Sequence, residues 1–182
     1  EQDKIKTRWP AAEAFIRDRH LNEVFGPTEA PVGIVLQGGM YNGVIRALQH
    51  LGLADIYGNS QIPLYVLNVT YPLIPDEFLE FCKGKASVLV VEEGQPEFIE
   101  NQLSAYLYRS RSEVRLHGKD VFPMAGEYTG AVMRDGIAAS LEYAREAGMP
   151  LAIEPLHPMQ AAERACVNTL EHALDLCDEL DP

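Results

Sequence analysis

Cysteine is scarce in this chain. Three occur in 182 residues, Cys82, Cys166 and Cys177, far apart and with no Cys-x-x-Cys pair. An odd, sparse count predicts a reducing, cytoplasmic setting. It also argues against a cysteine-ligated iron–sulfur cluster or structural zinc site held by these residues. No apolar run approaches the roughly 18 residues that a membrane-spanning helix requires. The opening residues, EQDKIKTRWP, are charged and contain no apolar core of a signal peptide. They also lack an initiator methionine, so the sequence reads as cut from a longer one. Positive charge is in short supply: the net charge is −12, which disfavours nucleic acid and anionic membrane as partners.

What remains is ordinary globular material, 47% hydrophobic and 23% charged. The length suits one domain, or one domain plus a fragment. The charge is uneven. Residues 141–182 hold two basic side chains, Arg145 and Arg164, against nine acidic ones, and the last lysine is Lys119. This stretch of 42 residues carries more than half of the net charge, so a composition shift falls near residue 140.

Residues 1–30 read as a lead-in segment or linker. WPAAEAFIRDRHLNEVF can form a short helix, which GPTEAP then breaks. Val32–Leu36, Leu64–Leu67 and Ser87–Val91 are short, apolar runs, as expected of strands buried on both faces of a parallel sheet. Val44, Ala47, Leu48 and Leu51 recur at i, i+3, i+4, i+7, a helical spacing, and Gly52 can end that helix. Asp76 can cap a helix carrying Phe78, Leu79 and Phe81. A further helix is expected over 96–109, with Ile99, Leu103, Tyr106 and Leu107 inward. Residues 114–116 read as a short edge strand. Strands alternating with helices at this spacing imply βαβ crossovers. The fold class is α/β: a three-layer, open, mostly parallel sheet with helices on both faces. Beyond residue 140, a helix over 141–147, a strand over 151–154 and a helix carrying Leu170, Ala173, Leu174 and Cys177 make a short C-terminal α-β-α fragment.

Two spots in the main segment invite a chemical reading. Gly38-Gly39 follows a buried strand and precedes a helix, where phosphate can bind. The stretch lacks both the GxGxxG spacing and a P-loop, which favours a tight strand-to-helix turn over a phosphate site. Glu92-Glu93 ends the third strand. Paired carboxylates can do acid–base work, yet neighbours on a strand point to opposite sides, which favours a structural or interface role.

The runs GIVLQGGMYNGVIRAL, YVLNVTYPLIP, ASVLVVEEGQPEFIENQL and GKDVFPMAGEYT, in that order over about residues 30–137, resemble the transketolase C-terminal-like domain of indolepyruvate ferredoxin oxidoreductases. The resemblance implies a domain over 31–137 within a thiamine-diphosphate-dependent enzyme that oxidatively decarboxylates aryl 2-oxoacids. Acyl groups would pass to coenzyme A and electrons to ferredoxin. In that family this domain sits beside the thiamine-binding ones and helps build the assembly. Thiamine diphosphate, magnesium and the iron–sulfur clusters would be held by other domains or subunits. Matching this, the sequence has no GDG-type motif, and the resemblance places no catalytic residue and no cofactor in this chain.

In the last segment, a carboxylate at the end of an apolar strand, Glu154, is followed three residues on by His157. Barrel enzymes present a divalent metal and a substrate contact in this way, and a capping Glu with a surface His is the plainer alternative. AREAGMPLAIEPLHPM and ACVNTLEHALDLCDELDP resemble the sugar phosphate isomerase/epimerase family, the xylose-isomerase-like barrels. That resemblance makes Glu154 a metal ligand and His157 a substrate contact, in a site that one carboxylate leaves incomplete. Two family patterns meeting near Ser140 predict a junction of two sequences of separate origin. Three functions stay open: an accessory oxidoreductase domain, a metal-dependent isomerase fragment, and a stand-alone binding or interaction module.

Overall fold

The computed structural model describes residues 1–146, with the side chains of residues 1–142. A π-helical turn, Lys4–Arg8, runs into helix α1 (Trp9–Asp18), followed by strand β1 (Glu23–Phe25). The βαβ series comes next: β2 (Val32–Gln37), α2 (Tyr41–His50), β3 (Leu64–Leu67), α3 (Pro75–Cys82), β4 (Ser87–Val91), α4 (Phe98–Ser110) and β5 (Arg115–His117). Helix α5 (Gly130–Glu146) closes the described part. The sheet order is β1-β3-β2-β4-β5. β1 is antiparallel to β3, and every other pairing is parallel. Among the described residues no helix is long and apolar enough to cross a membrane.

The apolar runs form strands because both of their faces are covered. Side chains alternate across the sheet with period two. Ile34, Leu36, Leu64, Val66, Leu89 and Val91 meet α2 and α5 on one face. Val35, Tyr65, Leu67, Val88 and Val90 meet α3 and α4 on the other. The helices bury matching stripes: Val44, Ala47 and Leu48 from α2, Met133 and Ile137 from α5, Phe78 and Phe81 from α3, Leu103 and Leu107 from α4. Each fully buried large side chain contributes about 1.5–3 kcal/mol of hydrophobic stabilisation. A three-layer α/β sandwich results, as expected.

Within the lead-in segment, β1 pairs Val24 with Tyr65 and so adds an edge strand to the sheet. Three local readings are corrected. Asp76 is not a cap. Pro75 already opens α3 and no side chain caps it, so Asp76 sits in the first turn, 3.6 Å from Arg17. Helix α4 begins at Phe98, two residues past Pro96. The helix expected from Leu141 is the end of α5, which starts at Gly130 and runs unbroken past residue 140. Glycine at 136 obscured that pattern. It is required because a Cβ there would lie 2.1 Å from Phe122 Cε1.

Candidate functional site

The connections reverse between β2 and β4: β2 leads through α2 to β3 on one side, and β4 leads through α4 to β5 on the other. In open α/β sheets the crevice outside the carboxyl ends of the strands at such a switch point is the usual place for a ligand. Gln37 ends β2, and Glu92 and Glu93 follow β4. The two glutamates turn to different partners, as their adjacency on an extended chain requires. Glu92 is 5% exposed. Its carboxylate accepts from Ile99 N through both oxygens, at 3.0 and 3.1 Å, and from Glu100 N at 3.1 Å. It thereby caps α4 from a distance and opposes the positive end of the helix dipole. Glu93 N donates to Gln37 Oε1 at 2.9 Å, and the Glu93 carboxylate accepts from Tyr128 N at 2.7 Å.

Lys119 closes this network. Its Nζ donates to Glu92 O at 2.7 Å, Gly94 O at 3.0 Å and Tyr128 Oη at 2.6 Å, and lies 4.8 Å from the Tyr128 ring centre. The Tyr128 hydroxyl donates onward to Pro123 O at 3.0 Å. Glu100 accepts from Lys119 N at 2.9 Å, and this close approach needs glycine at 118, where a Cβ would sit 2.1 Å from Glu100 Oε2. Burial lowers the Lys119 pKa against the pull of the surrounding glutamates. Burial also raises Glu100, and pushes the Tyr128 phenol up to about 12 with the help of Glu100, Glu92 and Glu93. Lys119, Tyr128, Gln37 and Glu100 did not stand out in the sequence. The only signal was that Gln37 and Glu92-Glu93 end adjacent buried strands.

The geometry can be tested against a thiamine diphosphate, and it does not fit. The first amides of α4 are already engaged by a carboxylate, and the ammonium of Lys119 is tied to two carbonyls and a hydroxyl. The surrounding glutamates would repel a diphosphate. Gly38-Gly39 forms a tight 3₁₀ turn, Gly38–Met40, into α2. A Cβ on Gly38 would lie 2.7 Å from Asn68 Oδ1, so glycine serves chain packing there. Among the described residues no group of three or more His, Cys, Asp and Glu could hold a metal ion. Glu154, His157 and the strand expected over 151–154 lie outside the described residues, as do Cys166 and Cys177.

A sequence model of the indolepyruvate oxidoreductase domain matches residues 22–141, from just before β1 into the last turns of α5. The chain belongs to the indolepyruvate oxidoreductase domain family. Its curated relatives include the indolepyruvate oxidoreductase subunit IorA of Methanothermobacter thermautotrophicus, 32% identical over 139 residues, 73% of this chain and 21% of the relative. The same subunit of Methanothermobacter marburgensis is 33% identical over 75% of this chain and 21% of the relative. That of Pyrococcus horikoshii is 33% identical over 60% and 16%. The chain spans about a fifth of the length of these relatives. Among solved structures it is similar to 2-oxoglutarate:ferredoxin oxidoreductase from Magnetococcus marinus. The TM-score is 0.45 with 19% identity, covering 66% of this chain and 19% of the other.

The matched region of this indolepyruvate oxidoreductase domain holds the whole switch-point network and a second concave site. The second site is a groove of about 680 Å³ between β1 and α3. Val24, Phe25, Pro27, Pro63 and Phe81 form apolar walls. At one end the Tyr65 hydroxyl donates to Glu77 at 2.8 Å, and Asn22 donates to the same Glu77 oxygen at 3.2 Å. Burial and that carboxylate raise the Tyr65 pKa. At another point Lys85, only 8% exposed, holds its ammonium 4.6 Å from the centre of the Phe81 ring. Gly33 makes room for both: a Cβ there would lie 2.7 Å from Phe81 Cζ and 2.8 Å from Lys85 Cε.

Proposed function

We propose that this chain is a non-catalytic, accessory domain of a thiamine-diphosphate-dependent indolepyruvate:ferredoxin oxidoreductase. In this reading it packs beside the remaining domains or subunits and helps to build the assembly. Those partners hold thiamine diphosphate, magnesium and the iron–sulfur clusters, and ferredoxin takes the electrons. The supporting observation is the switch point, where Glu92, Glu93, Lys119 and Tyr128 satisfy one another across the ends of β2 and β4. A crevice whose charged groups are already hydrogen-bonded within the chain leaves no free group among the described residues to bind or activate an aryl 2-oxoacid. The test is a turnover assay of the isolated chain with indolepyruvate, thiamine diphosphate, Mg²⁺, coenzyme A and a viologen acceptor. The expected rate equals that of a heat-treated control, and reproducible turnover above that control overturns the reading.

A further inference from the structure

The ammonium of Lys119 sits in a cradle that other parts of the chain hold in shape. An ammonium has three hydrogens to donate. Lys119 Nζ donates to Glu92 O at 2.7 Å, Gly94 O at 3.0 Å and Tyr128 Oη at 2.6 Å. The centre of the Tyr128 ring lies 4.8 Å away, within reach of a cation–π attraction. Glu92, Glu93, Glu97 and Glu100 stand close enough to favour the charged form. Each wall has its own support. Glu92 is buried, and its carboxylate is fixed by the first amides of α4. Glu93 is held through its amide, which donates to Gln37. Gly94 adopts a φ of +109°, a conformation that side chains rarely allow, in the turn that brings both carbonyls to one ammonium. Tyr128 stacks on buried Phe122, ring centres 5.0 Å apart, and its amide donates to the Glu93 carboxylate. Its hydroxyl hydrogen goes to Pro123 O, which leaves an oxygen lone pair for the ammonium.

Acceptors held in place beforehand bind with little ordering cost, and a charged donor strengthens each bond. Lys119 is half-buried, so its side chain can withdraw while the core stays folded. We propose that this cradle is a binding site for a primary ammonium on an unbranched alkyl stem, with Lys119 as its built-in occupant. With Lys119 seated, the chain blocks its own site. When Lys119 swings out, an ammonium from outside, on a lysine side chain or a free amine, takes the same three acceptors. The four glutamates turn anions away. This goes beyond the accessory-domain reading and does not depend on it, since binding is measured without turnover.

Lys119→Ala removes the outer methylenes and the ammonium, so n-propylammonium matches what is lost. Calorimetry and amide shift mapping on the whole chain should show it binding to Lys119→Ala at about millimolar affinity, as about four heavy atoms allow. The shifts should centre on Glu93, Gly94 and Tyr128. Propanol lacks the charge and tetramethylammonium lacks the hydrogens, and each should bind about tenfold more weakly. In the parent, the tethered Lys119 competes as an intramolecular ligand and should weaken propylammonium about tenfold. Nα-acetyl-lysinamide distinguishes the sources. Tighter binding than propylammonium assigns the site to a polypeptide side chain, and weaker binding assigns it to a free amine. The proposal is overturned by no binding to Lys119→Ala at about 50 mM probe, by equal affinity for either control, or by equal affinity for the parent. A Lys119→Ala chain that is unfolded should refold when propylammonium is added, as read by circular dichroism. Failure to refold equally overturns the proposal.

Discussion

Replacing Glu92 by leucine would leave the first amides of α4 without an acceptor while keeping the position apolar and filled. Ile99 N loses bonds of 3.0 and 3.1 Å and Glu100 N loses one of 3.1 Å. An unsatisfied buried amide costs about 1–3 kcal/mol. Ile99 is buried and incurs most of this, and Glu100 is half-buried and incurs less. Loss of a negative charge at a helix N-terminus adds about 0.3–1 kcal/mol. Against this, a buried carboxylate no longer needs to be stripped of water. The net expectation for Glu92→Leu is about 2–4 kcal/mol of destabilisation. Glu92→Gln keeps one acceptor oxygen and should lose about 1 kcal/mol. With a urea slope near 2 kcal/mol per molar, the midpoint should fall by about 1–2 M for leucine and about 0.5 M for glutamine. Urea unfolding followed by circular dichroism reads both. A Glu92→Leu midpoint within about 0.25 M of the parent, or about 0.5 kcal/mol, would refute the capping argument. An assembled oxidoreductase that folds with Glu92→Gln yet loses turnover would point instead to an acid–base role.

Other consequences can be checked on the same chain. Gly33→Ala should destabilise by about 1–3 kcal/mol through overpacking, because its Cβ would press on Phe81 and Lys85. Gly39→Ala, with nothing within 4 Å of the added carbon, should stay within about 0.5 kcal/mol by urea titration. Burial pushes the Cys82 thiol from its ordinary value of 9.0 up to about 12. Iodoacetamide at pH 8 should therefore spare Cys82 in the folded chain and label it in urea, as read by peptide mass mapping. The sign also fixes a pH trend. The folded state keeps a proton that the unfolded state releases, so this stability is whole below about pH 9 and is lost as pH rises toward about 12. Cys82→Ala should flatten the alkaline decline in urea midpoint, and an unchanged decline would count against the assignment.

The parallel core was legible because burial on both faces leaves an unmixed apolar signature. Val32–Leu36, Leu64–Leu67 and Ser87–Val91 needed nothing but their own composition to be read as strands. Glu23-Val24-Phe25 carries no such mark. It is three exposed residues long and becomes a strand only because β3 offers it a free edge. Lys85 and Lys119 carry no local mark either, and their surroundings depend on distant residues: the missing side chain at Gly33 and the phenol of Tyr128. The switch point could be located from strand order, but its hydrogen bonds cross up to 35 positions of sequence, from Tyr128 N to the Glu93 carboxylate. Local pattern carries no such information.

The two outermost strands have a bearing on how the domain behaves when produced alone. β1 and β5 are each three residues long, and among the described residues each has no sheet neighbour on its outer side. An exposed sheet edge is a template on which another chain can add itself, and the risk grows with the length and flatness of that edge. Edges this brief present few backbone groups in register. Glu23 on one and Arg115 on the other place a charge where an incoming strand would have to lie. Short, charged rims thus disfavour runaway self-association of this sheet.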